Sequence, residues 1–589
     1  MSPTNLTLLS HPTLHCKLLG KLSKSTIQYR GLQYATVPSR WQESLPLDKL
    51  LPNSTIEGID VHDATHFGPS CPQKRGAQAW DLTLMSDTLH LTTEEGQGDG
   101  EKMDEFGCLH VNVTVPRTAI GKSSTGEKNG LPVFVWVHGG GLAMGSNSWP
   151  QYDLAKFVER SVQIGNPIIA VSIDYRIGIF GFLASEELGN AEGNLGFKDL
   201  VLAFRWVKKH IHGFGGDLNN ITAAGESAGG ISLSTLLCGE TGDEGLFERV
   251  VIMSGEVTLR KPRGRRWHEE MYKEQLKYLG LDQMGREQRL NKLTEWDAEE
   301  MCQVLPLVQT FCAVVDGKWL KEEVTLGVLG DGGHGVHKPG WCREFVVGDT
   351  AHDGTVLKDR ILDNPSTLTL LHSLCTKHLS TPETHALLTA YNLPLFSPSS
   401  SPPTPLTCQQ SHSLLQLASE LRFYLPTLVV EQGWRARFPS SSSSSSSSTT
   451  GSRVSRYHFH APNEFPSPFH GLASHELDVG FLLQNLSEHL PEQSLQASEA
   501  MADHFIKYVN GEGWSKDGEV IVFGDKGVQR ISEQGYDRVW REGRGEVLKG
   551  IGADKLWRLA EGWQRVRADV DENGDSNDDD DDDDTRPKL

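Results

Sequence analysis

The chain has 589 residues, 37% of them hydrophobic, and a formal net charge of −21, which is ordinary for a globular protein with a sizeable core. No apolar run approaches the roughly 18 residues needed to span a membrane. An acidic chain without a basic stripe argues against nucleic-acid binding. The nine cysteines form no CxxC pair, so zinc or thioredoxin-like chemistry is not expected.

Strand-like and helix-like segments alternate along the middle of the chain. Continuous apolar runs at 133–137 and 168–173 predict strands buried on both faces. The later pattern predicts a helix over 197–211, a strand over 221–224, a helix over 228–238, and strands over 250–253, 345–347 and 456–459. This alternation predicts an α/β fold with a mostly parallel central sheet flanked by helices. Functional residues are expected beyond the carboxyl ends of the strands.

Low-complexity segments interrupt this pattern. Stretches near 94–101, 397–405 and 439–452 are rich in Gly, Pro or Ser and are predicted to be loops inserted into a single domain of residues 1–568. Residues 569–589 contain a run of seven aspartates and are predicted to form an acidic, disordered tail.

Ser227 lies in a G-x-S-x-G motif, Gly225 to Gly229, between a predicted strand and a predicted helix. That context is typical of the nucleophile elbow, a tight strand-to-helix turn that exposes a reactive serine. Because the hydroxyl then stands at a helix N-terminus, the helix dipole favours negative charge that develops beside it.

Three consecutive glycines, Gly139 to Gly141, follow the strand at 133–137. Because glycine has no side chain, such a sequence leaves backbone N–H groups accessible to a ligand, as an oxyanion hole requires. The N–H groups of Gly140, Gly141 and Ala228 are the predicted donors. No G-K-[ST] follows, which argues against a phosphate-binding loop.

A serine nucleophile needs a histidine base and an acid that orients it, in the chain order Ser, acid, His for this fold. Asp353 follows the strand at 345–347, with Asp349 and Asp316 as competitors and His352 adjacent. His475 precedes an apolar helix-like segment, while His470 and His460 compete from the same loop. The pattern alone leaves these alternatives open.

Several motifs together resemble the type-B carboxylesterase/cholinesterase family, and most closely its fungal members. GNLGFKDLVLAFRWVKKHIHGFGGDLNNITAAGESAGG over 193–230 is similar to the family signature almost throughout. DYRIGIFGFL over 174–183 and SHELDVGFLLQN over 474–485 extend the resemblance.

The resemblance implies an α/β-hydrolase fold in which Ser227 is the nucleophile, Asp353 the acid and His475 the base. It implies Gly140, Gly141 and Ala228 as oxyanion donors. Asp353 matches the family's G-x-x-x-x-[ED]-G pattern with Asp in place of the commoner Glu, and Asp478 follows His475 at the family's spacing. Cys71 and Cys108 resemble its N-terminal disulfide pair.

The implied activity is hydrolysis of small carboxylic esters through an acyl-enzyme, with no metal, cofactor, nucleic-acid partner or membrane span. A lactonase or thioesterase on the same triad is the nearer alternative. A non-catalytic binding protein of cholinesterase type is the more distant one.

Residues 1–16 show neither a basic n-region nor an apolar h-region, so we expect a cytoplasmic protein with reduced Cys71 and Cys108. The ending Pro587-Lys588-Leu589 resembles the S-K-L type of peroxisomal signal, which makes the peroxisome the alternative.

Overall fold

A computed structural model describes residues 6–91, 101–119, 130–242, 244–395, 405–439 and 453–564. The predicted tail over 569–589 lies outside these ranges. So do the predicted insertions, apart from their flanking residues 101, 405 and 439. Within the described ranges no helix is both long and apolar enough to cross a membrane.

The strands of the described residues are β1 (Leu6–His11), β2 (Cys16–Leu22), β3 (Thr26–Gln33), β4 (Ala35–Thr36), β5 (Leu45–Pro46), β6 (Ser54–Ile56), β7 (Ile59–Ala64), β8 (His110–Pro116), β9 (Leu131–Val137), β10 (Ile169–Ile173), β11 (Gly216–Glu226), β12 (Arg249–Met253), β13 (Arg263–Gly264), β14 (Val314–Val315), β15 (Glu344–Thr350), β16 (Val454–Phe459), β17 (Glu519–Gly524) and β18 (Gly527–Ser532).

The α-helices are α1 (Ala77–Leu82), α2 (Ala155–Gln163), α3 (Gly178–Phe182), α4 (Leu195–His210), α5 (Ala228–Cys238), α6 (Arg265–Tyr278), α7 (Arg286–Glu295), α8 (Ala298–Val304), α9 (Leu326–Gly330), α10 (Lys358–Ile361), α11 (Thr367–His378), α12 (Thr381–Ala390), α13 (Cys408–Ser419), α14 (Leu425–Arg437), α15 (Leu477–Leu483), α16 (Glu492–Val509), α17 (Glu533–Trp540), α18 (Arg544–Ile551) and α19 (Ala553–Trp563). A π-helical turn, Glu420–Tyr424, joins α13 to α14.

One large sheet runs in the order β18-β17-β16-β15-β12-β11-β9-β10-β8-β3-β2-β7-β6, with β1 paired to β2. Its seven central strands, from β17 to β10, are parallel. Strand β18 on one side and strands β8, β3 and β2 on the other pair antiparallel. The predicted α/β architecture with a parallel centre is therefore confirmed, and the antiparallel edges add to it.

The central strands are buried on both faces because their apolar residues run without interruption. In β9, Val133, Val135 and Val137 pack into the core on one face of the sheet. Phe134 and Trp136 pack into the core on the other face. Successive side chains of a strand point to opposite faces, so only a continuous apolar run fills both cores.

The carboxyl ends of the central strands meet along one edge of the sheet. Gly225 of β11 pairs with Val137 of β9, and Glu226 pairs with Met253 of β12. This register brings the segments that follow β9, β11 and β15 to the same edge, and these segments carry the predicted functional residues.

Candidate active site

Ser227 occupies a sharp turn between β11 and α5. Its φ of 52° and ψ of −118° are unusual for a residue with a side chain, and its N–H donates to the carbonyl of Met253 at 2.9 Å. Two residues on, a Cβ at Gly229 would overlap the carbonyl oxygen of Val137. The close approach of the turn to β9 therefore requires glycine at 229 and holds the serine in its strained conformation.

The glycine loop after β9 lies in the same cavity as Ser227. Gly140 and Gly141 have φ values of +99° and +63°, and a Cβ at Gly140 would overlap the carbonyl oxygen of Met144. Ala228 is the first residue of α5, so its N–H has no partner one turn back in the helix. The three predicted oxyanion donors therefore lie on two segments that border the serine.

His475 and Asp353 are in direct contact. Nδ1 of His475 lies 2.6 Å from Oδ1 of Asp353, and both side chains are buried. The N–H of Thr350 donates to the second carboxylate oxygen at 2.8 Å, and the N–H of His475 donates to Oγ1 of Thr355 at 3.0 Å. These bonds connect the loop after β15 to the loop before α15, so the imidazole is held by its partner and by its backbone.

The competing acids have other partners. Asp349 bonds to Nδ1 of His458, and Asp316 accepts from the N–H groups of Lys318 and Leu320. Neither carboxyl is bonded to His475 in the described part of the chain.

The competing histidines also lie elsewhere. Nδ1 of His470 is 3.3 Å from the carbonyl of Phe465, and Nε2 of His460 is 2.9 Å from the hydroxyl of Tyr536. Nδ1 of His352 accepts from the N–H of Ala473. Of these candidate histidines, His475 alone lines the cavity of Ser227.

Glu226, the residue before Ser227, contacts the other side of the imidazole. Its Oε1 lies 3.1 Å from Nε2 of His475. Burial and the charges of neighbouring carboxylates raise the pKa of Glu226 well above its ordinary value. No sequence motif assigns a role to Glu226, although it is the last residue of β11 and directly precedes Ser227.

More buried acids surround His475. The hydroxyl of Tyr152 lies 2.5 Å from Oε1 of Glu476 and 3.2 Å from Oδ2 of Asp81. Burial raises the pKa of both carboxyls, and burial together with the charge of Asp353 raises the pKa of Asp478 to about 7. Carboxyls buried this close together do not all ionise, so the group retains protons at neutral pH.

These residues open into a cavity of about 390 Å³ that contains Ser227, Gly140, Gly141, Glu226 and His475 among its lining. The π-helical turn contributes Phe423, whose ring centroid lies 5.6 Å from that of His475. A cavity of this size accommodates a small organic ligand.

Cys71 and Cys108 are free, buried thiols in this structure. A hydrogen bond from Cys71 together with burial raises the pKa of Cys108 well above its ordinary value. The two residues are thus neighbours, as the family resemblance implied. That they are reduced in the cell stays a prediction.

Comparison with known proteins agrees with this geometry. The model of the "Carboxylesterase family" matches residues 13–512. Lipase 1 of Yarrowia lipolytica is 34% identical over 39% of this chain and 42% of its own length. The para-nitrobenzyl esterase of Bacillus subtilis is 36% identical over 41% of this chain and 43% of its own. The matched segment thus spans little more than two fifths of the length of these two relatives.

Solved structures share the fold over nearly the whole chain. A PNB esterase superposes with a TM-score of 0.63 at 22% identity, covering 92% of this chain and 100% of that one. A carboxylesterase of Geobacillus stearothermophilus superposes with a TM-score of 0.62 at 23% identity, covering 92% and 99%. At this level of identity the structural similarity establishes the fold alone, which is that of the α/β-hydrolases.

Proposed function

Because the chain belongs to the carboxylesterase family, we propose that it hydrolyses small carboxylic esters through an acyl-enzyme formed on Ser227. The contact of 2.6 Å between His475 and Asp353, in the cavity that also holds Ser227, is the observation that carries this proposal. A histidine oriented by a buried carboxylate, in one cavity with a serine at a strained turn, is the set of groups that activates a hydroxyl for attack.

In the proposed reaction, Nε2 of His475 accepts the proton of the Ser227 hydroxyl while the oxygen attacks the ester carbonyl. The backbone N–H groups of Gly140, Gly141 and Ala228 donate to the oxyanion that forms. His475 then gives its proton to the departing alcohol. Water repeats the sequence on the acyl-enzyme, which releases the acid and restores the serine.

Asp353 would hold Nδ1 protonated, so that Nε2 is the free acceptor. The raised pKa of Glu226 favours its uncharged form beside Nε2. A permanently ionised Glu226 would stabilise the imidazolium, which cannot accept a proton from the serine. An uncharged Glu226 does not add to that stabilisation.

The proposal is tested by active-site labelling and by substitution. An organophosphonate ester should label wild-type protein at Ser227, as peptide mass spectrometry can locate. Ser227→Ala should lose label and reduce kcat for ester hydrolysis by roughly a millionfold, the scale of a nucleophile's loss. Ser494→Ala, on α16 and outside the cavity, is the matched control. Label on another serine, or turnover by folded Ser227→Ala, would contradict the proposal.

We also propose that a small-molecule ester is the partner of this cavity, and that the protein acts in the cytoplasm without binding nucleic acid. The net charge of −21 supports the absence of nucleic-acid binding. An N-terminal fluorescent fusion tests the location. Punctate fluorescence that disappears when Leu589 is deleted would make the peroxisomal alternative correct.

A further inference from the structure

Acidic and basic side chains both line the cavity. The acidic groups described above surround His475 and interact electrostatically with one another. Three arginines form a second group, Arg260, Arg360 and Arg422, here called the basic cluster. Within it the charges of Arg360 and Arg422 act on Arg260, and no carboxylate is among the groups that shift its pKa. Arg260 therefore lies among like charges.

Arg260 lies beside the proposed oxyanion hole. It ends the 3-10 turn Val257–Arg260 that follows β12, and its Nη2 lies 3.4 Å from where a Cβ of Gly141 would be. Burial and the neighbouring arginines lower the pKa of Arg260 to about 9, so it keeps its charge at neutral pH. In the described part of the chain it forms no ion pair. A cation thus stands next to the position proposed for the ester carbonyl.

Arg422 also lines this cavity and has unsatisfied donors. It is 3% exposed, and its Nη2 donates to the carbonyl of Leu259 at 3.0 Å. Its Nε and Nη1 are buried and have no hydrogen-bond partner among the described residues. Leaving two donors of a buried cation unpaired is costly unless a ligand supplies the acceptors.

Two carboxylates near Arg422 have other partners. Glu561 and Glu256 offset part of the charge of Arg422. However, Glu561 lies 3.3 Å from Nη2 of Arg263, and Glu256 accepts from the N–H of Thr258 at 2.9 Å. Neither carboxylate supplies an acceptor to Nε or Nη1 of Arg422.

We propose that the basic cluster binds a carboxylate of the substrate, so that the preferred substrates are half-esters of dicarboxylic acids or similar esters bearing a carboxylate. This inference rests on the proposed function and names its substrate class. Guanidinium groups bind carboxylates through charge-assisted, often bidentate hydrogen bonds. The basic cluster therefore determines which part of the cavity holds the carboxylate, and so orients the substrate.

Matched ester pairs test the proposal. Monomethyl adipate and methyl hexanoate have acyl chains of equal length and differ in the terminal carboxylate. 4-Acetoxybutanoate and butyl acetate make the same comparison on the alcohol side. Proton release in a pH-stat gives kcat/KM for each ester. For each pair we take the ratio of kcat/KM for the charged ester to kcat/KM for the neutral ester. The pair with the larger ratio shows whether the carboxylate is recognised on the acyl or the alcohol side.

In wild-type protein we expect this ratio to exceed one for at least one pair. Arg260→Gln should lower it about tenfold or more, since a charged hydrogen bond is lost. Arg260→Lys should retain a larger part of the ratio because it keeps the charge. Arg538→Gln removes an exposed arginine outside the cavity and should leave the ratio unchanged.

A preference of wild-type protein for both neutral esters, or an equal ratio in Arg260→Gln, would overturn the inference while leaving the proposed function intact. If no ester is hydrolysed, the proposed function fails, and a binding experiment with a dicarboxylate tests the basic cluster separately. Adipate is then titrated calorimetrically into Ser227→Ala protein with and without Arg260→Gln. Binding that depends on Arg260 supports the basic cluster, and absence of binding contradicts it.

Discussion

The environment of a single histidine distinguishes it from the other 22 in the chain. His475 has a carboxyl oxygen near each ring nitrogen, Asp353 at Nδ1 and Glu226 at Nε2. The first contact fixes the orientation of the ring, and the second comes from the residue before the Ser227 turn. Most other buried histidines of the described residues have a pKa lowered by burial and serve as neutral hydrogen-bonding groups.

We expect His475→Ala and Asp353→Asn each to reduce ester hydrolysis strongly, by about four orders of magnitude or more, because the serine loses its base or the base loses its orientation. His470→Ala is the matched control, since its ring bonds only to a loop carbonyl. Steady-state kinetics on folded variants measures the effect. Inactivity of His470→Ala with activity retained in His475→Ala would reverse the assignment of the base.

Asp478 should make stability depend on pH. Its pKa of about 7 in the folded protein lies above the ordinary 3.8, so the folded state binds a proton that the unfolded state releases. Its contribution is therefore favourable below about pH 4 and is lost as pH rises through about 7. A pKa difference of about three corresponds to at most roughly 4 kcal/mol.

We accordingly expect the urea midpoint of Asp478→Asn to fall less between pH 5 and pH 8 than the wild-type midpoint falls. Asp282→Asn, at an exposed position, should follow the wild-type slope. The comparison uses activity-independent fluorescence or circular dichroism. Identical slopes for Asp478→Asn and wild type would show that this carboxyl does not titrate with folding.

At the level of elements, the sequence predicted those strands and helices that a local residue pattern determines. Runs such as 133–137 appear as β9, and the helix predicted over 228–238 is α5. The antiparallel edges of the sheet were not predicted. Strands β1 to β3 mix apolar and polar residues, so they give a weak strand pattern, and their pairing depends on distant partners such as β8. The π-helical turn Glu420–Tyr424 was also missed, since its register depends on tertiary packing rather than on a sequence period.

The same distinction applies to the site. The Ser227 turn and the glycine loop carry local motifs, so sequence alone indicated them. Asp353 and His475 needed the family resemblance to choose among neighbours, because their contact joins residues 122 positions apart. Arg260 lies in no sequence motif that we identified, and only the folded chain brings it beside Gly141.

The strand-to-helix turn should tolerate no side chain at Gly229. A Cβ there would overlap the carbonyl oxygen of Val137, so Gly229→Ala must displace either α5 or β9. We expect a destabilisation of about 1–3 kcal/mol, typical of overpacking, together with a large loss of kcat because Ser227 moves.

Gly264→Ala is the control for this prediction, since its φ is −69° and a Cβ there meets nothing within 4 Å. Chemical denaturation and kinetics are measured on both variants. Wild-type stability and activity in Gly229→Ala would show that the turn is looser than its contacts indicate.

At the scale of the whole molecule, the match to the family ends well before the chain does. The family model covers residues 13–512, and described structure continues through α19 to Gln564. Helix α19 packs its buried Leu556, Leu559 and Trp563 against the helices around α11. We therefore propose that the folded unit extends past the family match and includes α19, in line with the predicted domain of residues 1–568.

Removal of residues 569–589 should leave ester hydrolysis nearly unchanged. Asp, Asn and Gly dominate this segment, which offers too little apolar surface to offset the entropy of ordering it. Its charges also repel an already acidic protein. A second truncation before Ala553 removes α19 and its buried leucines, so it should cause insolubility or loss of activity. Kinetics and thermal unfolding of both truncated chains are compared with wild type, and a large loss of kcat/KM in the shorter deletion would mean that the acidic tail docks on the folded unit.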